Sequence, residues 1–400
     1  MKYAKQISSL LVVAASLLVL GACGQKSNCS GITFGGGSGS SSGGALNGGG
    51  GSCGIGSNNG GGGSGAARDY LFYRGGNGSN NAINTAALTA TTFQPLAGVS
   101  VVVGQSTTGS MVVVSKKFLY LPDQNSTGGV MGFVINHATG ALTPIPGSPF
   151  AAPSPVTTLV ADPDSQGGRF LFTADFASGD FNVFVIDAAT GALTLAPGSP
   201  FPNPGYEATS LNVDGTGNYL YATAATSRAG TLAYVIDQNT GALTTMIGSP
   251  FALHSSQVQI NPAGTFLLSV NGANQIDVVP IEQGTGVLLL AAATSFPTVE
   301  LVDALVIHPN GNFVYTFGAR IPLEGFQFSG GTLTELQGSP FTSLSDLAGC
   351  QFDQSGTALF GILTPSNEVG VRIIDPNSGA VAGGIPDLGV ATSPYFAVTN

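Results

Sequence analysis

The chain has 400 residues, of which 60 are Gly and 23 are Pro, while only 8% are charged. This composition is typical of many short apolar strands joined by tight turns, and it excludes a protein built from long, charged surface helices. With a net charge of −10 and only 11 scattered Lys and Arg, the chain lacks the cations that bind nucleic-acid phosphates, so nucleic acid is excluded as a partner.

The first residues have the order of an export signal. Lys2 and Lys5 precede an apolar run from Leu10 to Leu20. That run is shorter than the roughly 20 apolar residues that a membrane-spanning helix needs. The segment therefore predicts export rather than a transmembrane anchor.

The tetrapeptide Leu-Gly-Ala-Cys that ends at Cys23 resembles the bacterial lipobox, in which the Cys is lipidated and becomes the first residue of the mature protein. The alternative is an ordinary secretory signal with an incidental Cys. We predict a lipoprotein signal peptide at residues 1–22, lipid attachment at Cys23 and a membrane partner through this anchor. Because Gly24 and not Asp follows the Cys, the predicted location is the outer membrane of a bacterial envelope.

Residues 23–66 are dominated by Gly, Ser and Asn and are predicted to form a flexible tether. Such a segment cannot bury enough apolar surface to offset the entropy lost on ordering, and its root-mean-square reach is roughly 35 Å. Cys29 and Cys53 lie in this tether, and the sequence leaves open whether they form a disulfide.

Residues 67–400 carry an internal repeat. The phrase Gly-Ser-Pro-Phe recurs with its Phe at positions 150, 201, 251 and 341, and a degenerate Thr-Ser-Phe-Pro places Phe296 between them. Each copy follows a segment such as "YVIDQNTGALT" and precedes one such as "VQINPAGTFLLSV". The unit is a strand, a tight turn, a strand, a variable loop, a strand, a tight turn and a strand.

Four short strands in each repeat predict an all-β fold, a seven-bladed β-propeller with four-stranded antiparallel blades. Six blades are expected to begin with their own inner strands near residues 100, 155, 207, 255, 302 and 346. The seventh is expected to close the ring by pairing the C-terminal "SPYFAVTN" with the N-terminal "DYLFYRG", which removes an exposed edge. Six or eight blades remain as alternatives.

The repeated segments "VID..TGALT", "GSPF" and "NPAGTFLL" resemble those of YVTN-type repeat proteins and lactonase-like seven-bladed propellers, over about residues 68–400. The namesakes of that group include phosphogluconolactonase and the muconate cycloisomerase of fungi. The resemblance implies the fold. It implies no single activity, because propellers with these repeats serve as enzymes, binders and surface proteins.

The repeated polar residues are predicted to be structural. Asp187, Asp237 and Asp375 open tight turns, and His308 occupies the first position of another type of turn. Cys350 falls in an apolar column of the inner strands and is expected to be a small buried hydrophobe. We expect no metal, because no histidine pair has metal-ligand spacing, and we expect no cofactor. A calcium loop in the acidic segment 162–168 is disfavoured, since its oxygen ligands are incomplete.

Function is expected on the face that carries the variable loops, because loops on a rigid scaffold are where sites are built. The charged and polar residues assigned to that face are Arg74, Asp123, Asp175, Asp180, Glu207, Arg228, His254, Glu300, Asp303, Arg320, Asp346 and Glu368. From these we take as predicted binding residues Arg74, Asp175, Arg228, Asp303, Asp346 and Glu368. The catalytic candidates are His254, Glu207 and Arg320.

Two functions remain open, and the sequence favours the first. The first is a membrane-tethered scaffold that binds a small molecule, a glycan or a protein on the variable face. The second is a lactonase-type hydrolase, for which His254, Glu207 and Arg320 could supply a base and an oxyanion donor, although no catalytic motif supports their spacing. A phosphorylated lactone is disfavoured, since the body has no cluster of Arg or Lys.

Overall fold

The computed structural model describes residues 69–399 except 76–81, 89–92, 104–109, 124–127, 154, 176–177, 204–207, 225–229, 271–273, 319–320, 342–346, 364–367 and 386–395. The predicted signal peptide, Cys23, the tether and its two cysteines lie outside these residues. All described strands belong to one unit, Gly62–Asn400. Its described part contains two 3-10 turns, Asp164–Gln166 and Leu290–Ala292, and no helix long and apolar enough to cross a membrane.

The described strands form seven sheets of four antiparallel strands, which we number in chain order. Sheet 1 contains β28 (Phe396–Val398), β1 (Asp69–Gly75), β2 (Ala82–Leu88) and β3 (Phe93–Val102), and sheet 2 contains β4 (Val112–Val114), β5 (Phe118–Pro122), β6 (Val130–Ile135) and β7 (Leu142–Pro144). Sheet 3 contains β8 (Thr158–Ala161), β9 (Phe170–Ala174), β10 (Phe181–Ile186) and β11 (Leu193–Leu195), and sheet 4 contains β12 (Ala208–Val213), β13 (Tyr219–Ala224), β14 (Thr231–Ile236) and β15 (Leu243–Thr245). Sheet 5 contains β16 (Gln257–Ile260), β17 (Phe266–Val270), β18 (Gln275–Pro280) and β19 (Thr294–Pro297). Sheet 6 contains β20 (Ala304–Ile307), β21 (Phe313–Phe317), β22 (Glu324–Ser329) and β23 (Thr332–Glu335), and sheet 7 contains β24 (Leu347–Phe352), β25 (Ala358–Leu363), β26 (Glu368–Ile374) and β27 (Val381–Ile385).

The inner strands of the seven sheets contact one another in a closed cycle. In order around the cycle they are β28, β4, β8, β12, β16, β20 and β24, and β24 contacts β28 again. This cycle confirms the predicted seven-bladed propeller. Antiparallel order places the turns between strands one and two and between strands three and four on one face, the tight-turn face. The other connections lie on the opposite face, the variable-loop face.

One predicted strand position is wrong. The first complete sheet has its inner strand at Val112–Val114, whereas the residues near 100 belong to β3, the outer strand of sheet 1. The physical reason is that apolar alternation identifies a strand but not its place in the sheet. The segment that ends β3 alternates in the same way as an inner strand does.

The ring closes as predicted, by pairing of the first and last strands of the propeller. Residues Leu71 and Tyr73 of β1 pair with Val398 and Phe396 of β28. Beyond this pairing, the Tyr70 amide donates to Thr399 Oγ1 at 2.6 Å, and the Thr399 amide donates to the Tyr70 carbonyl at 2.8 Å.

The same pair of hydrogen bonds closes the tight turn between the first and second strands of sheets whose four strands are consecutive in the chain. Asp214 Oδ1 accepts from the Tyr219 amide at 2.8 Å in sheet 4, and Asn261 Oδ1 accepts from the Phe266 amide at 2.9 Å in sheet 5. The first and last strands of the propeller therefore meet in one tight turn, and Thr399 supplies the cap that Asp or Asn supplies elsewhere.

The Gly-Ser-Pro-Phe phrase has a structural role in each sheet that carries it. Ser148 Oγ accepts from the Gly132 amide at 2.9 Å, and Ser249 Oγ accepts from the Ala233 amide at the same distance. The backbone of each Phe bridges to the start of the third strand, as Phe150 does to Val130. The Ser-Pro bonds are cis in all four copies. The phrase thus fastens the chain across its own sheet before the next sheet begins.

Buried tyrosines of the second strands tie neighbouring sheets together. Tyr120 Oη donates to the Gly191 carbonyl, and Tyr315 Oη donates to the Gly379 carbonyl, each at 2.6 Å. In both cases the acceptor lies in a tight turn of the next sheet. Burial raises the pKa of these phenols, so they remain donors at any physiological pH.

Candidate functional site

The aspartates of the repeat are turn caps, as predicted. Asp187 Oδ1 accepts from the Thr190 amide at 2.8 Å and the Ala189 amide at 3.0 Å, and Asp237 accepts equivalent bonds. These donors lower the pKa of both carboxyl groups because they stabilise the ionised form. Asp375 caps its turn through the Asn377 amide. All three lie on the tight-turn face and are committed to the fold.

Two other residues also have the predicted structural roles. His308 is buried, its Nδ1 accepts from the Asn310 amide, and its Nε2 donates to the Gly356 carbonyl at 2.9 Å. Cys350 packs half-buried against the core between sheets 6 and 7. Burial raises the pKa of its thiol, which makes it a poor nucleophile.

Asp162, the first residue of the acidic segment 162–168, forms an ion pair with Arg169. Arg169 Nε lies 3.2 Å from Asp162 Oδ2, and its two terminal nitrogens donate to the Gln238 side chain and carbonyl at 2.7 and 2.8 Å. This cluster joins sheets 3 and 4 on the tight-turn face. Among the described residues, no group of three or more His, Cys, Asp or Glu side chains converges to hold a metal ion.

The structure describes only some of the predicted site residues. His254 and Asp303 are exposed on the variable-loop face, His254 three residues before β16 and Asp303 immediately before β20. Arg74 and Glu368 lie at the variable-loop ends of β1 and β26, although only their backbones are described. The remaining predicted residues lie outside the described part: Glu207, Arg228, Arg320 and Asp346. The proposed grouping of His254, Glu207 and Arg320 therefore stays a prediction.

Asp175 has a local role in the loop between β9 and β10. It is buried, and its carboxylate accepts from the Ser178 amide at 3.1 Å. Asp180, at the end of the same loop, accepts from the Asn203 amide at 3.4 Å. Both carboxylates thus shape the variable-loop face of sheet 3.

Two buried carboxylates at this face were not among the predicted site residues. Glu324 begins β22 and is 3% exposed, and Asp277 lies in β18 and is 8% exposed. They occupy equivalent positions, because Glu324 pairs with Thr316 and Asp277 pairs with Ser269 at the same place in neighbouring sheets. A sequence signal existed: the corresponding residue of sheet 4, Leu232, is apolar.

Glu324 holds a neighbouring segment by its backbone. Its Oε1 accepts from the Val299 amide at 2.7 Å, and its Oε2 accepts from the Thr316 hydroxyl at 3.2 Å. Burial raises the pKa of this carboxyl, and the two hydrogen bonds only partly oppose the effect. Glu324 is thus a carboxylate kept in an unfavourable environment to position the chain before sheet 6.

Asp277 fastens the outer strand of sheet 5. It accepts from the Ser295 hydroxyl at 2.5 Å and from Gln275 Nε2 at 2.9 Å. The two buried carboxylates therefore act on consecutive parts of one stretch of chain. That stretch runs from β19 to the inner strand of sheet 6.

Comparison with solved structures places the chain among propellers. It is similar to a protein from Bacteroides fragilis described as a "putative 6-phosphogluconolactonase", with 17% identity, a TM-score of 0.65, and coverage of 84% of this chain and 98% of the other. It is also similar to the periplasmic gluconolactonase PpgL of Pseudomonas aeruginosa, with 16% identity, a TM-score of 0.60, and coverage of 83% and 98%. The Sqt1 protein of Chaetomium thermophilum, bound to the N-terminus of ribosomal protein L10, has 14% identity, a TM-score of 0.53, and coverage of 80% and 84%.

These likenesses show the fold alone, because the identities are low. No protein-family model matches the sequence, and no curated protein matches it either.

We predict that ionisation of Glu324 lowers the free energy of unfolding as the pH rises. The turn aspartates Asp187 and Asp237, whose pKa values are lowered, act in the opposite direction. Because the pKa of Glu324 is raised in the folded state, the native protein binds more protons than the unfolded chain above the ordinary glutamate pKa of 4.5. Its contribution to stability therefore falls as pH rises through that window. Relative to Glu324→Gln, which does not ionise, the wild type should lose free energy of unfolding as the pH rises above about 4.5.

The measurement is the difference in free energy of unfolding between the two proteins by denaturant titration at each pH. A difference that does not change with pH would show that the Glu324 carboxyl titrates normally.

Proposed function

We propose that this chain is an envelope lipoprotein whose propeller binds a small, uncharged ligand of the lactone or sugar type on its variable-loop face. The observation that supports the proposal is a difference between the two faces in how their polar side chains are used. Polar groups of the tight-turn face, such as Asp187, Asp237 and Arg169, are taken up by bonds within and between sheets. The variable-loop face also has carboxylates committed to the fold, such as Asp175 and Glu324, but it exposes His254, Glu300 and Asp303 in loops that do not repeat.

The charge of the described side chains favours an uncharged ligand. A phosphoryl group is usually bound by Arg or Lys. The described Arg169 is paired with Asp162, and the buried Arg372 donates to the Val371 carbonyl at 3.2 Å. Lys116 and Lys117 lie in the tight turn of sheet 2. The exposed carboxylates on the variable-loop face would repel an anion, whereas ligand hydroxyl groups can donate hydrogen bonds to them.

Hydrolysis of a non-phosphorylated lactone is the second candidate, favoured by the likeness to propellers described as lactonases. In this reaction the oxygen of water bonds to the carbonyl carbon and the ring C–O bond breaks. The ring oxygen takes a proton and leaves as a hydroxyl, which yields a hydroxy acid. His254 would accept the proton of water, Glu207 would orient His254, and Arg320 would stabilise the developing oxyanion.

The test of binding and turnover uses the full chain in detergent with uncharged lactones and sugars, and with 6-phosphogluconolactone for comparison. Uncharged ligands should raise the melting temperature, and the phosphorylated lactone should not. If hydrolysis occurs, His254→Ala and Arg320→Ala should each lower it by about 100-fold or more, because each removes a group acting in the transition state.

Lys117→Ala is the control, since Lys117 is exposed on the tight-turn face. Stabilisation by the phosphorylated lactone alone would refute the uncharged-ligand proposal. Hydrolysis that both site variants retain in full would refute the assigned catalytic roles.

The envelope location is proposed from the order of signal, Cys23 and Gly-rich tether. A neighbour described as periplasmic is consistent with it. We expect the wild type to fractionate with membranes and Cys23→Ser to be released into the soluble fraction, because only the lipid chain holds the protein to the bilayer. A Cys23→Ser protein that stays in the membrane fraction would argue against the anchor.

A further inference from the structure

The Gly-Ser-Pro-Phe phrase is altered in sheet 5. In sheet 4, the Phe of this phrase bridges to the start of the third strand, as Phe251 does to Thr231. In sheet 5, Phe296 of the degenerate Thr-Ser-Phe-Pro pairs with Ile276 at the same place, but it does so as part of a continuous strand, β19, rather than a Gly-Ser-Pro-Phe crossing. The segment Thr298–Asp303 then leads to sheet 6.

This segment is fixed at several points. The Thr298 amide donates to the Asn274 carbonyl at 2.9 Å, and the Val299 amide donates to Glu324 at 2.7 Å. Thr298 Oγ1 donates to the Glu300 carbonyl at 2.9 Å, and Val302 is buried in the core between sheets 5 and 6. Burying a carboxylate such as Glu324 is costly, so the chain retains an unfavourable group in order to hold this segment.

The fixed segment presents two apolar side chains to solvent. Val299 is 57% exposed and Leu301 is 59% exposed, and the carboxylates of Glu300 and Asp303 are exposed beside them. Single exposed apolar residues are common on proteins. Here two of them lie on an anchored segment that follows the altered phrase of sheet 5, which makes a contact surface the better explanation.

Two hydroxyl groups near this segment lack partners among the described residues. Ser255 Oγ is buried without a hydrogen bond, and the adjacent Ser256 Oγ donates to the Asp303 carbonyl at 3.4 Å. Ser269, which pairs with Asp277, is fully buried, and its hydroxyl has no hydrogen-bond partner there either. Buried polar groups without partners are unusual in proteins. Ser269 is fully buried, whereas Ser255 is partly exposed, so Ser255 is the residue that a polar ligand at this face could complete.

We propose that Thr298–Asp303 is the ligand-contacting element of the variable-loop face and that it takes a hydroxyl-bearing ring. The apolar face of the ring packs on Val299 and Leu301, and its hydroxyls donate to Glu300 and Asp303. Ionised carboxylates only accept hydrogen bonds, so the ligand must supply donors. Two side chains are far smaller than the roughly 1,200 Å² of a stable protein interface, which favours a small ligand. Glu324 is a positioning residue.

This inference rests on the proposed function, and its test separates the two. The probe is 1,5-anhydroglucitol, a stable uncharged ring with hydroxyls, titrated into the full chain in detergent by calorimetry. The double variant Val299→Ser, Leu301→Ser should weaken its binding by about tenfold or more, because it removes the apolar contact. The matched control is Ile247→Ser, which removes an 89% exposed apolar side chain from the outer turn of sheet 4.

The role of Glu324 is tested by two variants with hydrogen exchange at the Val299 amide. Glu324→Gln keeps an acceptor for that amide and should retain both its protection and the affinity for the probe. Glu324→Ala removes the acceptor and should lose both while the protein still unfolds cooperatively.

Equal binding by the wild type and the double variant would overturn the inference and leave the proposed function intact. A wild type that binds neither this probe nor any uncharged lactone or sugar would overturn both. Unchanged exchange of the Val299 amide in Glu324→Ala would remove the positioning role of Glu324.

Discussion

The pairing of β28 with β1 is the contact on which the rest of the fold depends. Each sheet of this protein is apolar on both faces, so it can bury them only when a neighbouring sheet stands on each side. A row of such sheets has two unsatisfied ends, and pairing of its first and last strands removes both. Thr399 completes the closure by donating to and accepting from the Tyr70 backbone, as the turn caps of the unbroken sheets do.

The requirement for stacking explains why the repeated residues are structural. Each repeat must fix its own turns, bring the chain back across its sheet and bond to the next sheet. Asp237 serves the first need, Ser249 the second and Tyr315 the third. Because these groups bond within the fold, few polar groups of the tight-turn face can contact a ligand. Function is therefore expected in the loops that do not repeat.

Most of the fold follows from local sequence. The Gly-Ser-Pro-Phe copies and the turn aspartates mark the repeats, and the strands at the two chain ends reveal the closure. The expectation of an inner strand near residue 100 failed, because alternation alone cannot distinguish an inner strand from an outer one. Cys350 and His308 were recognised as structural because they occupy columns shared with other repeats.

The candidate site was harder to predict, for a physical reason. Glu324 resembles a surface acid in the sequence, and its role depends on the Val299 amide, 25 residues earlier in the chain. Such a bond is set by the register between sheets, which the sequence of neither segment contains. The degenerate Thr-Ser-Phe-Pro was visible, but its consequence, a continuous outer strand where sheet 4 has a Gly-Ser-Pro-Phe crossing, appears only in the pairing of β18 with β19.

The central claim is that the repeat builds the ring and that the altered phrase of sheet 5, with the segment after it, provides recognition. The most direct measurement is ligand-dependent thermal unfolding of a chimera in which residues 287–303 are replaced by the sequence of residues 242–256 from sheet 4. Glu324 is changed to Leu in the same protein, to match Leu232. The account predicts that the chimera unfolds cooperatively and is no longer stabilised by any ligand that stabilises the wild type. A chimera that keeps full ligand stabilisation, or that fails to fold, would contradict it.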